Sequence, residues 1–207
     1  MLRIGIRPDH RHDGASPLRF PILGLAVLVA FLSGCGAPPR ATFDLRDASL
    51  PEPTHVSSPR RKALVRVAEP AAEQLLNSNR LAIREAGGSL GYLADAQWAD
   101  RAPRLIQGRL VARLLRDGVD ASFQGGATGY QLTTDLRRFE IDAARGVAVV
   151  EMAARLSDDK SGALRGEAVF SGEAPAPHTI GPEAAHALES ALDPVAGELA
   201  LWVRRRI

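Results

Sequence analysis

The chain has 207 residues, of which 45% are apolar and 24% charged, and its formal net charge is +2. Within residues 1–34 four arginines stand against two aspartates, so the other 173 of the 207 residues are close to neutral and give no support to a nucleic-acid partner. The single cysteine excludes an intramolecular disulfide, and 173 residues suffice for one domain held by packing alone.

In chain order, Arg3, Arg7, Arg11 and Arg19 precede an apolar run from Phe20 to Phe31 broken only by Pro21 and Gly24, the layout of a secretory signal peptide. The run is too short to cross a bilayer, which takes about 20 apolar residues. It ends in Leu32-Ser33-Gly34-Cys35, which resembles a bacterial lipobox, where the cysteine is acylated and becomes the first mature residue. Residues 1–34 are therefore expected to be a lipoprotein signal peptide and Cys35 the lipidation site. The same residues also fit an ordinary secretory cleavage region whose thiol is free or paired between chains. A buried methylene contributes about 0.8 kcal/mol, so one acyl chain is marginal and two or more hold stably. Lipoproteins of this kind carry two or three chains such as palmitate. Gly36 stands where an Asp commonly signals retention at the inner membrane, which points to an anchor in the outer membrane on its periplasmic face.

Residues 35–62 read as a lipidated N-terminal tether and linker: Pro38-Pro39, a short extended piece at Thr42-Phe43-Asp44-Leu45, then Pro51, Pro53, Ser57, Ser58 and Pro59. Arg60-Arg61-Lys62 fits a solvated linker or an attraction to anionic headgroups of about 1 kcal/mol per charge. The domain proper is expected over 63–207.

It opens with a β-rich run, Ala63–Ala68, closed by Pro70. Arg80-Leu81-Ala82-Ile83-Arg84 alternates polar and apolar, the pattern of a half-buried strand, and Gly87-Gly88-Ser89 turns it into Ser89–Leu93 as a hairpin. A helix is predicted from about Pro103 to Arg116, with Asp100 placed to cap it and Gly118 to end it; Ile106, Leu110 and Leu114 form its apolar stripe. Arg109, Arg113 and Arg116 on the other side read as a solvated basic face. Residues 119–129 look like a loop, and Gln124–Gly129 has neither the Lys and Ser/Thr of a P-loop nor dinucleotide-fingerprint spacing. Three strands follow, Tyr130–Asp142, Val147–Leu156 and from Leu164 to Phe170 or a little beyond, as an antiparallel meander. Tyr130, Leu132 and Leu136 are out of phase with Phe139 and Ile141, which requires a β-bulge near Arg137-Arg138 if all face the core. The last helix runs from about Pro182 to Arg205, its stripe being Leu188, Leu192, Val195, Leu199 and Trp202; Pro194 should kink or split it, with Asp193 capping a second half.

No catalytic constellation stands out. His178, Glu183, His186 and Glu189 are the nearest to a cluster, but Glu183 and His186 lack a third positioned ligand for zinc, and Asp158-Asp159 is a turn rather than a calcium loop. No metal site, cofactor or nucleophile elbow is expected, and an enzyme is not.

The lipobox, the β-run ending at Pro70, the Trp98-Asp100-Pro103 entry into a leucine-rich helix, the strand ending in Phe139 and the meander with Phe170 before a final helix reaching Trp202 together resemble the ABC-type transport auxiliary lipoprotein family over roughly residues 60–205. The resemblance implies a non-enzymatic outer-membrane lipoprotein that works with an ABC permease and ATPase and an MCE-domain protein to move phospholipids or other hydrophobic compounds between the two membranes, with a homo-oligomer as a possible state. It carries no catalytic residues to transfer. The expected fold is a two-layer α+β sandwich, an antiparallel or mixed sheet with two long helices on one face. Val147 and Val149 fall on the strand face opposite Ala148, Val150 and Met152 and are the candidate partner-binding residues. The alternative function is a structural lipoprotein that assists assembly of an outer-membrane complex with no lipid pathway of its own.

Overall fold

A computed structural model describes residues 39–45, 64–124, 129–178 and 180–207. Its elements are β1 (Ala41–Phe43), β2 (Leu64–Val67), β3 (Ala71–Ala72), β4 (Arg80–Arg84), β5 (Leu90–Trp98), α1 (Ala102–Arg116), β6 (Ala121–Ser122), β7 (Gly129–Asp142), β8 (Val147–Asp158), β9 (Leu164–Pro175) and α2 (Gly181–Arg204). All the strands belong to one mixed sheet, and the fold is α+β.

β7 is the axis of that sheet. One edge pairs with β8 in antiparallel register along its whole length, and β8 pairs with β9 in the same sense. The other edge is tiled in sequence order by three parallel strands: β2 against Gly129–Leu132, β3 against Asp135–Leu136, and β4 against Glu140–Asp142. β5 and then β1 extend the sheet beyond β4, and β6 extends it beyond β2. β4 is therefore an interior strand, with Leu81, Ala82 and Ile83 all buried, rather than the half-buried strand its alternation suggested. β1 joins β5 in parallel and Leu45 is 1% exposed, so part of the expected tether belongs to the folded domain.

The meander contains the expected bulge. Leu136 pairs with Met152 and Arg138 with Glu151, leaving Arg137 as the extra residue. That insertion brings Leu132, Leu136, Phe139 and Ile141 onto one buried face with Ala148, Val150, Met152, Ala154 and Leu156. Both helices cover this side. Phe139 stacks on Trp98 with ring centroids 5.5 Å apart, and Phe170 meets Trp202 edge-on at 5.9 Å. The contact between α2 and β9 is so close that a Cβ on Gly172 would lie 2.4 Å from the Ala191 carbonyl oxygen.

α1 starts without a side-chain cap: Asp100 accepts the Arg101 N–H at 2.7 Å and pairs with Arg104 in the first turn at 3.2 Å. Its end is a Schellman motif, with Gly118 at φ 80°, its N–H bonded to Leu115 and the Val119 N–H to Leu114. α2 runs unbroken through Pro194. The proline lies on the exposed side, the apolar stripe stays buried before and after it, and Asp193 pairs with Arg109 instead of capping a second helix.

Candidate functional site: the open face of the sheet

The residues that alternate with the core positions make the face that neither α1 nor α2 covers. On β7 these are Asp135, Arg138, Glu140 and Asp142; opposite them on β8 stand Ala153, Glu151, Val149 and Val147, and the next row on β9 includes Val169, Ser171 and Glu173. β4 adds Ala82 and Arg84 beside Glu140 and Asp142, and β5 adds Tyr92 and Leu90.

At the centre is Glu140, 3% exposed. Arg84 donates to its two oxygens at 2.8 and 3.4 Å, and Arg138 donates to Oε1 through Nε at 2.9 Å and Nη2 at 2.7 Å. Arg138 also reaches Asp142 at 3.6 Å. The Glu140 carboxylate, by hydrogen bond and by charge, holds the Arg84 guanidinium above its ordinary pKa. A carboxylate taken out of water is tolerated here because two cations satisfy it. Beside this triad, Arg145 and Glu173 form a two-pronged pair at 2.9 and 2.6 Å, which raises the pKa of the arginine and lowers that of the glutamate.

Farther along the same face lies an open cleft of about 600 Å³. Ala71, Ala153 and Val169 line it, together with Asp135, Arg137, Arg155 and Glu167. Arg155 bonds Glu167 at 2.6 Å, and Arg137 lies 3.5 Å from Asp135 and 3.6 Å from Glu151. Small side chains below and paired charges around suit a polar protein surface or an extended segment. They do not make an enclosed apolar chamber for an acyl chain.

The sequence-derived candidates are distributed as follows. Cys35 lies outside the described residues. Val147 is half-buried and Val149 is 4% exposed, so the apolar area expected there is not open. Val149 sits between the registers of Glu140 and Glu173, whose ion pairs flank it on both sides. His186 and Glu189 approach to 3.8 Å, and among the described residues no three His, Cys, Asp or Glu side chains gather where a metal would need them. Asp158 organises the β8–β9 turn: its Oδ1 accepts from Lys160 N, Ser161 N and Ser161 Oγ at 3.0–3.1 Å, and the Ser161 bonds lead in lowering its pKa from 3.8 to about 2. Residues 125–128 of the glycine-rich stretch lie outside the described residues; Gly129 serves packing, since a Cβ there would be 2.0 Å from the Leu64 carbonyl oxygen.

Two arginines of the α1 stripe, Arg109 and Arg113, form a seam rather than a solvated face, while Arg116 is exposed as expected. Arg109 is 7% exposed and pairs with Asp193, approaches Glu189 at 3.9 Å and donates to the Leu45 carbonyl at 3.4 Å. Arg113 binds Asp117 at 3.0 Å and lies against Gly197 of α2, where a Cβ would come within 2.6 Å of its guanidinium. The ion-pair triad of the open face had one legible trace, the period-2 charge pattern Arg138, Glu140, Asp142. Its third member, Arg84, is 56 residues upstream of Glu140 and pairs with it only because β4 lies beside β7.

Known proteins place this architecture. Residues 43–200 match the model of the ABC-type transport auxiliary lipoprotein component, and the chain belongs to that family. It is 31% identical over 153 residues to an uncharacterized protein of Bradyrhizobium diazoefficiens, a match that covers 70% of this chain and spans 40% of that relative's length. The crystal structure of a Xanthomonas campestris protein assigned to the family DUF330 superposes with a TM-score of 0.65 at 26% identity, over 79% of this chain and 94% of that one. A second crystal structure, of an uncharacterized protein, shares the fold with a TM-score of 0.65 at 17% identity, over 79% and 98% of the two chains.

Proposed function

We propose that the protein is a non-enzymatic lipoprotein held by acyl chains on Cys35 at the periplasmic face of the outer membrane, where it serves an ABC/MCE-type system that moves phospholipids or other hydrophobic compounds between the two membranes. Membership of the transport-auxiliary family carries this reading. The lipobox-like Leu32–Cys35 supports the anchor, and the make-up of the open face supports its role. The face around Glu173 is built from paired charges suited to docking rather than to chemistry, Arg145 holding the Glu173 carboxylate below its ordinary range.

The docking surface for the MCE-domain partner is the open sheet face, entered through the cleft beside Arg137 and Val169, with Val147 at its margin. Photocrosslinkers at 137, 147 and 169 should trap that partner in cells, while one at His186, whose side chain is 74% exposed on α2, should not. Equal trapping from both faces, or crosslinks to phospholipid alone, overturns the docking surface. Cys35→Ser should leave the protein uncleaved or soluble, and recovery of that variant in the outer membrane overturns the anchor.

A further inference from the structure

The meander ends in a strand with one neighbour. Among the described residues β9 pairs with β8, and nothing pairs with its other edge. The register shows which groups that edge presents. Ala176 N–H donates to the Gly146 carbonyl at 2.8 Å, in line with the pairs Ala148–Ala174, Val150–Gly172 and Met152–Phe170. An antiparallel ladder alternates, so Ala168, Phe170, Gly172 and Ala174 direct their backbone groups to β8, whereas Glu167, Val169, Ser171 and Glu173 turn theirs to the vacant side. Pro175 fits this phase: its position turns outward, where no N–H is needed.

An exposed edge invites wrong pairing and is normally blunted. Here the blunting is confined to the two ends, where the register shift at Arg165 closes one and Pro175 the other. The window between them, residues 166–174, contains no proline, lysine or arginine. It has room for about seven residues of an extended chain, about 23 Å.

The side chains of this window on the open face set its chemistry. Val169 at the centre is 55% exposed, and Glu167 and Glu173 stand on either side of it with side chains 50% and 45% exposed. Their arginines, Arg155 of β8 and Arg145 of the β7–β8 turn, approach from the inner side, and Arg155 bonds Oε1 of Glu167. The lane outside β9 is therefore lined by two carboxylates with an apolar side chain between them. A second copy of the chain is a poor occupant, because its own window brings two more carboxylates and no cation.

We propose that the β9 edge takes up an extended segment of a partner polypeptide as a further antiparallel strand, with lysine or arginine opposite Glu167 and Glu173 and an apolar residue opposite Val169. Backbone pairing holds the segment and the side-chain pattern selects it. The proposal rests on the open face being a docking surface, since the added strand extends the wall of the cleft at Glu167 and Val169.

The test uses the full chain, isotopically labelled and held in detergent micelles, with the peptide Lys-Thr-Thr-Thr-Val-Thr-Lys as probe. Hydrogen exchange followed by NMR should slow about tenfold at the amides of 167, 169, 171 and 173 and stay unchanged at 168, 170 and 172. The same peptide with Glu in place of both Lys should have no effect. Ser171→Pro removes one outward N–H and leaves the β8 ladder intact, so it should keep the wild-type melt and lose the response to the lysine peptide, while Ser171→Ala keeps both. Slowing without alternation, no slowing, or equal slowing by the acidic peptide overturns the proposal. Alternation that appears without peptide as the protein is concentrated also overturns it, by making the occupant a second copy. Photocrosslinkers at 137 and 169 separate the two readings: a partner trapped in cells without alternating protection removes only the added strand, whereas no trapped partner removes the docking surface and this proposal with it.

Discussion

Along β7 the residues that face the helices are Leu132, Leu136, Phe139 and Ile141, while Asp135, Arg138, Glu140 and Asp142 face the other way from the same backbone. The covered side excludes water through apolar packing that is indifferent to pairwise partners. On the open side a carboxylate that is 3% exposed depends on two particular arginines, one of them from a distant strand. A packed face tolerates exchanges of similar volume; a paired face tolerates almost none, because losing one member leaves a buried charge unmet.

The largest break in this contrast comes from mixing the two kinds of surface. Leu110→Asp places an unpartnered carboxylate at a site 1% exposed and should cost several kcal/mol, a large share of the ~5–15 kcal/mol that stabilises a domain. Circular dichroism should show no cooperative melt, and an unchanged melt would place α1 in the wrong register. Neighbours in sequence then compare the faces directly. Phe139→Ala, which loses a buried ring and its stack on Trp98, should cost about 3–5 kcal/mol in denaturant unfolding. Glu140→Ala should cost about 2 kcal/mol, because Arg84 and Arg138 are 35% and 29% exposed and regain water in part. A larger loss at Glu140 than at Phe139 would make the electrostatic face the dominant one.

A smaller effect tests how tightly the helix layer fits. Gly172→Ala pushes a methyl against backbone and should cost about 1–3 kcal/mol, whereas Gly166→Ala meets the movable end of Arg206 and should cost less, as read from paired thermal melts. The smallest effect is in the β8–β9 turn. Asp158 has a folded pKa of about 2 against an ordinary 3.8, so its stabilising contribution is complete above about pH 4 and is lost as the pH falls towards 2. Asp158→Asn should make stability fall less steeply across that window, and identical slopes would show that the Ser161 bonds do not persist in solution.

Much of the fold was legible because its signals are local. Gly118, the apolar stripe of Ile106, Leu110 and Leu114 in α1, the turns around Gly146 and Gly162, and the phase change between Leu136 and Phe139 are each read within a few residues. Three things were not legible. The parallel docking of β2, β3 and β4 on β7 joins residues about 60 apart and leaves no pattern within either segment. Arg109 looked solvated because a basic stripe on one helix does not reveal that Asp193 and Glu189 of a second helix close over it. Val149 looked open because alternation assigns a face, whereas accessibility depends on how large the flanking side chains are and what they bind.

The tiling of one β7 edge by β2, β3 and β4 also fixes an order of events as the chain is made. Synthesis presents the N-terminal end first, so the segments at 64–98 appear long before residues 129–142. The β4–β5 hairpin can close by itself, but its inner edge and those of β2 and β3 must wait with unsatisfied backbone groups until β7 arrives. Once β7 is available, its short-loop pairing with β8 forms quickly and gives the waiting strands a template. The interval between those two moments is when the chain is most exposed to wrong pairing, and when a holding chaperone would matter most.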